Sequence, residues 1–567
     1  MRTLSQYAVL ALALLAFAFP LYGQQHPKLI VLVVVDQMRA DYLERFAAYE
    51  TEGLHFLVTR GANFVNAKYE HMPTETCLGH SVLLSGRDPV HTGIVANDWY
   101  DRESGKMSYC VEDANSPLIG ETGPAVSPKN LLGDNFGDWL QSSYPGARVF
   151  SISLKDRAAI LMAGHHPQGV FWFSHNTGRF ITSRYYGDRV PDWAEAFNNR
   201  HVVDSYAGKQ WTTVLPVASP AYHAHEVDGQ FPHEMPNQPG RQLNDAVYAS
   251  PFGDELLEAL AETAVKSNHL GENEHNAPDL LAIGFSSNDA VGHAYGPDSP
   301  EIADEQIRLD RTLGRLVDVL TTRIGSGNIL WVLSADHGAE PTPEAELTLR
   351  NNKAARRLPF SQALLSIEGQ LNTIFKISGG MHWFAGETDA MLYFDRGELA
   401  RHNITLAAAT DALTTQVKNV PGVDGFYDVT HLDSVRGWIG PILRNSVFPA
   451  RSGDVYYLTH QWTLFSSKAT GTSHGDPWPY DTHVPFVLAG WHIGAQRISD
   501  RVQVVDLSPT LAELTGVQWP ASEVLDGRSR KDLLKIPAIP PAKAQKKRGP
   551  ESKTPPQSRP DSRLGLR

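Results

Sequence analysis

An α/β fold with a central, mostly parallel sheet flanked by helices is what the sequence predicts, on three observations. Residues 28–35, 148–154, 279–285 and 328–334 are short, continuous apolar runs, as strands buried on both faces of a parallel sheet require. Residues 254–267 and 302–324 instead carry apolar side chains at helical spacing. The strand runs end on or lead into carboxylates and imidazoles, and in open α/β sheets ligands collect beyond the carboxyl ends of the strands.

The chain of 567 residues, 42% of them hydrophobic, is long enough for one large domain with insertions or for two domains. Residues 1–23 read as a signal peptide: Arg2 supplies a positive start, Ala8 to Phe19 an apolar core, and Leu21-Tyr22-Gly23 a cleavage site. The mature chain is expected to start near Gln24, in the periplasm or outside the cell. An uncleaved anchor is disfavoured because the apolar run is short for a span of about 20 residues. No later segment is apolar enough to cross a bilayer. The folded domain is expected over residues 24–536. Segments of about 166–253, rich in aromatics, Gly, Pro and Asn, and about 365–465, a strand pair with a helix near Leu399 to Val417, read as insertions. The tail, 537–567, is Pro-, Lys- and Ser-rich without apolar periodicity and is expected to be disordered.

Only two cysteines, Cys77 and Cys110, are present, which excludes a disulfide scaffold; a single bridge between them is left open by their spacing. A net charge of −13 argues against a nucleic-acid binder, so an anionic ligand would need a local cluster of cations.

The chemistry centres on Pro73-Thr74-Glu75-Thr76-Cys77-Leu78-Gly79-His80, which sets a hydroxyl, Thr76, at the start of an apolar helical run. A threonine there caps a helix by default, and Thr74 competes for either role. As a nucleophile it needs an activator, and a divalent metal is the strongest available. Candidate ligands stand at strand ends: Asp36 after the first run, Asp289 and His293 one helical turn apart after the third, and Asp336 beside His337 after the fourth. A late loop adds His474 and His483. Asn97 offers a neutral donor, and Lys155-Asp156-Arg157, at the end of the second run, offers either a surface salt-bridge group or an anion clamp.

Together these motifs resemble the alkaline phosphatase superfamily over about residues 28–530. Within it they resemble most the bacterial phosphate-irrepressible alkaline phosphatases, through Val35-Asp36-Gln37-Met38-Arg39, Pro73-Thr74-Glu75-Thr76, Gly93 to Tyr100 and Ser153-Leu154-Lys155-Asp156-Arg157. The resemblance implies an alkaline-phosphatase-like sheet with inserted subdomains and two Zn²⁺ per chain. Asp36, Asp336 and His337 would hold the ion next to Thr76, itself a ligand and the residue phosphorylated in place of Thr74. Asp289, His293 and His474 would hold the other, with His483 in support. Asn97, Lys155 and Arg157 would contact non-bridging phosphate oxygens, and Lys155 would stand where a third metal sits in better-known relatives, so no Mg²⁺ is expected. The implied protein is an exported monomer hydrolysing small-molecule phosphate monoesters through a phosphothreonine, with no nucleic-acid partner and no stable membrane span in its mature form. A nucleotide pyrophosphatase or phosphodiesterase is the rival enzyme, disfavoured by the Lys155/Arg157 pair. A sulfatase lacks its Pro-x-Arg context after Cys77. An exported zinc-binding protein without catalysis is the rival from another class.

Overall fold

Seven consecutive apolar residues, Leu29–Val35, form strand β1 at the centre of a ten-stranded sheet, every one of them buried. The computed structural model describes residues 26–223 and 231–536. The expected signal peptide and the expected tail lie outside the described residues.

The remaining strands of the sheet, in chain order, are β2 (Ala62–Phe64), β3 (Leu118–Ile119), β4 (Val149–Ser153), β5 (Gly169–Phe173), β6 (Phe180–Ser183), β7 (Asp279–Phe285), β8 (Ile329–Ser334), β9 (Phe486–Gly490) and β10 (Gln496–Ile498). They lie side by side as β10-β2-β9-β8-β1-β7-β4-β5-β6-β3. The five strands from β8 to β5 are parallel neighbours, as the continuous apolar runs predict. Antiparallel partners flank them, β9 on β8 and β6 on β5, so the whole sheet is mixed around a parallel centre.

Strand register sets where the chain leaves the sheet. Val35 pairs with Phe285 and Val34 with Ser334, so β1, β7 and β8 end at one level and release their following residues on one edge. Helices flank the sheet: α1 (Thr76–Ser85), α2 (Asp156–Ala163), α3 (Pro251–Asn268), α4 (Ser287–Tyr295) and α5 (Pro300–Ile324). Helix α5 begins cleanly because Ser299 accepts the Ile302 N–H at 3.2 Å and Pro300 opens its first turn. Leu256 and Leu260 of α3 and Ile307 and Leu316 of α5 join the sheet's main core, each such burial contributing roughly 1.5–3 kcal/mol. Leu78 of α1 and Ala159, Ile160 and Leu161 of α2 pack in a second core with Val170 and Trp172.

Two of the sequence expectations change here. The segment from 166 is not wholly an insertion, because β5 and β6 extend the central sheet; their strand-favouring aromatic and β-branched residues are short runs set among Gly, Pro and Asn. The second insertion holds four strands in place of a pair: Phe384–Glu387, Met391–Phe394, Val455–Thr459 and Val423–Asp428 form an antiparallel sheet in that order. The helix expected over Leu399 to Val417 is broken into Arg396–Arg401, Leu406–Asp411 and Ala412–Gln416. Helix Phe360–Phe375 packs with these strands and helices in a third core.

Candidate active site

The common end of β1, β7 and β8 delivers three carboxylates to one place. Asp36 follows β1 directly, Asp336 follows β8, and Asp289 sits in the first turn of α4, with His293 one turn further along. All three carboxylates are buried, as is His337. One ligand atom each from Asp289, His293 and His474 lies within 4.8 Å of the others, and the same holds for Asp36, His80 and Asp336.

The histidine hydrogen bonds decide what these pockets can hold. His293 Nδ1 donates to the Thr472 carbonyl at 3.0 Å, His337 Nδ1 to the Gly338 carbonyl at 3.0 Å and His474 Nδ1 to the Thr74 carbonyl at 2.7 Å. In a neutral ring that leaves each Nε2 with a lone pair. Those lone pairs face carboxylate oxygens: His293 Nε2 lies 3.3 Å and His474 Nε2 3.8 Å from Asp289 Oδ1, and His337 Nε2 lies 3.2 Å from Asp336 Oδ2. Facing lone pairs repel unless a cation or a proton lies between them. Histidines pinned through Nδ1 to a carbonyl, with Nε2 aimed at a carboxylate, suit metal ligation. The donor set of imidazole nitrogens and carboxylate oxygens therefore fits a first-row divalent ion such as Zn²⁺. His337 and His474 stack at 3.5 Å, so the two pockets adjoin.

His80 differs. Its Nδ1 is buried without a partner, while Nε2 lies 3.1 Å from Asp36 Oδ1 and 3.5 Å from Asp336 Oδ2. The proton then belongs on Nε2, and His80 holds the two carboxylates as a donor. A third grouping, Asp134, Asp138 and His165, lacks this character, because the Asp138 carboxylate already accepts backbone N–H groups of Asn135, His165 and His166.

Helix α1 brings Thr76 to this edge. Gly79 allows it: a Cβ there would stand 2.0 Å from the Asp336 carbonyl oxygen. His80, four residues after Thr76 on the same helical face, makes the contacts to Asp36 and Asp336. The two threonines left open by the sequence differ in their bonds. Thr74 Oγ1 donates to the Asp476 carbonyl at 2.9 Å and accepts from Gly475 N at 3.2 Å, whereas among the described residues nothing hydrogen-bonds the buried Thr76 hydroxyl.

Asn97 is oriented by the same turn. Its Oδ1 accepts the Cys77 N–H at 2.9 Å, so the amide nitrogen is left as the free donor. Its backbone carbonyl accepts from Cys110 N at 2.9 Å, and Cys110 is disulfide-bonded to Cys77, which ties Asn97 to the start of α1. Glu75 accepts from Asn97 N; burial, then Asp389, pushes its carboxyl well above the usual range.

Lys155, at the end of β4, places Nζ 2.6 Å from Asp289 Oδ2 and 3.1 Å from Asp36 Oδ2, so one ammonium bridges the two pockets. Burial alone would raise Asp36; Lys155 and His80 outweigh it and hold the carboxyl at about 2. Asp289 lies well below its usual value for the same reason, with burial opposed by Lys155 and then His293. Arg157 and Lys155 line one cavity of about 480 Å³; Arg157 Nη1 meets the Tyr109 hydroxyl at 3.5 Å and its buried Nε has no partner. The structure thus brings together the pocket residues and Lys155, while Arg157 stands at the neighbouring wall. His483 is apart from both pockets: its Nε2 bonds the Val65 carbonyl at 3.0 Å and its backbone carbonyl takes the Ala40 N–H at 3.1 Å.

Gln37 went unnoticed in the sequence. In the left-handed conformation (φ 64°), it donates its backbone N–H to Asp336 Oδ1 at 2.9 Å and its side-chain amide to Asp289 Oδ1 at 2.9 Å. Only its position next to Asp36 could have signalled it. His80 could have been found from its helical spacing to Thr76.

A parallel sheet whose strand ends carry two adjoining Asp/His pockets that could hold metal ions suits a hydrolase of phosphate esters. The comparisons agree: the chain belongs to the family described as type I phosphodiesterase / nucleotide pyrophosphatase, which it matches over residues 30–476. It is 32% identical to alkaline phosphatase PafA of Elizabethkingia meningoseptica, covering 88% of this chain and 93% of that protein. It is 31% identical to alkaline phosphatase PhoV of Synechococcus elongatus, covering 90% and 93%. A crystal structure of wild-type PafA superposes with a TM-score of 0.81 at 31% identity, over 89% of this chain and 99% of that one. A PafA variant with substitutions at a threonine, an asparagine, a lysine and an arginine superposes at 0.80. The chain is accordingly a phosphatase of the alkaline phosphatase superfamily.

Proposed function

We propose that this chain is an exported, zinc-dependent phosphomonoesterase that works through a phosphothreonine at Thr76. The observation that carries the proposal is the set of three imidazoles, His293, His337 and His474, each pinned by a backbone carbonyl so that Nε2 faces a carboxylate. Asp36, Asp336, His337 and Thr76 would hold one ion, and Asp289, His293 and His474 the other. Bound Zn²⁺ would supply Lewis-acid charge compensation and lower the pKa of a coordinated hydroxyl.

The chain's own residues account for the rest. Thr76 Oγ1, free of competing hydrogen bonds, attacks phosphorus, and the alcohol departs on the opposite side; water then releases phosphate from Thr76. Lys155, Arg157 and the free amide of Asn97 bind the non-bridging oxygens, where phosphoryl transfer needs placement and charge. Two cations suit the dianionic monoester better than a diester. The PafA variant supports these roles, since its four substituted residue types occur here in the same order as Thr76, Asn97, Lys155 and Arg157, with the same separations of 21 within the first pair and 2 within the last. Export is supported by the amino-terminal pattern and by the Cys77–Cys110 bridge, which suits an oxidising compartment.

The family description also covers diesterases, so the discriminating experiment compares an aryl phosphate with a bis-aryl phosphate on the zinc-loaded protein. Preference for the monoester supports the proposal; preference for the diester replaces it with the phosphodiesterase reading.

A further inference from the structure

A cavity of about 200 Å³ shares a wall with the metal pocket through His474 and is lined by four carboxylates, Glu340, Glu387, Asp389 and Asp476. No lysine or arginine lines it. Glu340 is 3% exposed, and Oε1 of its carboxylate has no hydrogen-bond partner. Asp389 is solvent-accessible, close to Gly475, and among the described residues its carboxylate makes no hydrogen bond or ion pair. Asp476 is the engaged member, accepting from the Thr459 hydroxyl. Desolvation pushes the carboxyls of Glu340, Glu387, Asp389 and Asp476 up towards the neutral form, and a bound cation is what would hold them ionised together.

The aromatic lining indicates which kind. Phe360 stacks on Tyr457 at 5.2 Å and meets Phe465 edge-on at 5.2 Å, and all three line the cavity. Ring faces attract an alkylammonium and do nothing for a hard metal ion. Nor do these carboxylates converge: among the described residues, the tight Asp/Glu/His groupings lie elsewhere.

We propose that this cavity is a leaving-group subsite selecting phosphate monoesters of amine-bearing alcohols. The inference rests on the phosphomonoesterase reading above and takes the alcohol, which leaves opposite Thr76, to depart on the His474 side. Asp389 and Glu340 would receive the ammonium, with the Phe360–Tyr457 pair against its alkyl groups.

The test compares kcat/KM of the metal-loaded full-length protein for aminoethyl phosphate and propyl phosphate, whose alcohols differ by an ammonium in place of a methyl. The wild type should favour the cationic ester about tenfold or more, and Asp389→Asn and Glu340→Gln should each erode that preference while leaving propyl phosphate turnover within about twofold. Calorimetric titration with choline gives a readout that needs no turnover; binding should be detectable and weakened in both variants. Equal kcat/KM for the two esters, or a preference that both variants retain, overturns the subsite. If neither ester is hydrolysed, the enzymatic reading fails, and the choline titration alone decides the cavity: loss of binding in Asp389→Asn upholds a cation site and absence of binding in the wild type ends it.

Discussion

The imidazoles of His337 and His474 lie face to face, 3.5 Å apart and within 20° of parallel, although they arrive from the end of β8 and from a loop more than a hundred residues later. Two protonated rings would not stack so closely. Burial, and then the neighbouring His337 and His293, pushes His474 well below the ordinary histidine value, so its Nε2 lone pair is available.

Metal should therefore stabilise the fold as well as support catalysis. Chelation is expected to abolish hydrolysis and to lower unfolding stability by about 3 kcal/mol relative to protein with free zinc about a hundredfold above its Kd. Elemental analysis of His474→Ala should show one of two equivalents lost. Unchanged thermal unfolding after chelation would count against resident ions.

Arg157 offers a separate test of ester preference. Arg157→Ala removes a planar charged donor, and monoester kcat/KM should fall on the order of 10- to 100-fold, with a clearly smaller loss for a diester. Equal losses for both ester types would show that Arg157 is not reading the extra anionic oxygen.

Gln37 joins Asp336 to Asp289 across the pockets. Gln37→Gly keeps the left-handed backbone and its N–H but deletes the amide bond to Asp289. Metal affinity should fall about 10- to 100-fold, read by competition with a chromogenic chelator, while the metal-free protein keeps its stability within roughly 1 kcal/mol. Undiminished affinity would make Gln37 a backbone residue only.

Asp36 sets an acid limit for the metal-free protein. Its folded value of about 2 lies below the ordinary 3.8, so its stabilisation is complete above about pH 4 and disappears as pH falls through about 2. The stability gap between wild type and Asp36→Asn, measured by denaturant titration, should shrink by ~2 kcal/mol between about pH 5 and about pH 2. A gap that stays constant would mean that Lys155 and His80 do not hold that carboxylate down.

Most of the parallel centre was legible because β1, β4, β7 and β8 are continuous apolar runs, and the carboxylates that end or follow them are local in sequence. Strands β5 and β6 were not, since Gly169, Trp172 and the surrounding polar residues read as loop until β5 pairs with the edge of β4 and β6 with β5. Thr76 and Thr74 could not be told apart by propensity, and the bonds of Thr74 to the distant Asp476 and Gly475 are invisible in local sequence. The acidic cavity is invisible for the same reason, being assembled from Glu340, Asp389 and Tyr457 across three separate segments.

The most direct measurement is an acid quench of the zinc-loaded enzyme during turnover of a radiolabelled monoester, followed by peptide mapping. Label should be found on the peptide containing Thr76, and Thr76→Ala should lose it together with more than about a thousandfold of the hydrolysis rate. Label on another residue, or near-normal phosphate release by Thr76→Ala, would contradict the assignment of Thr76 as the nucleophile.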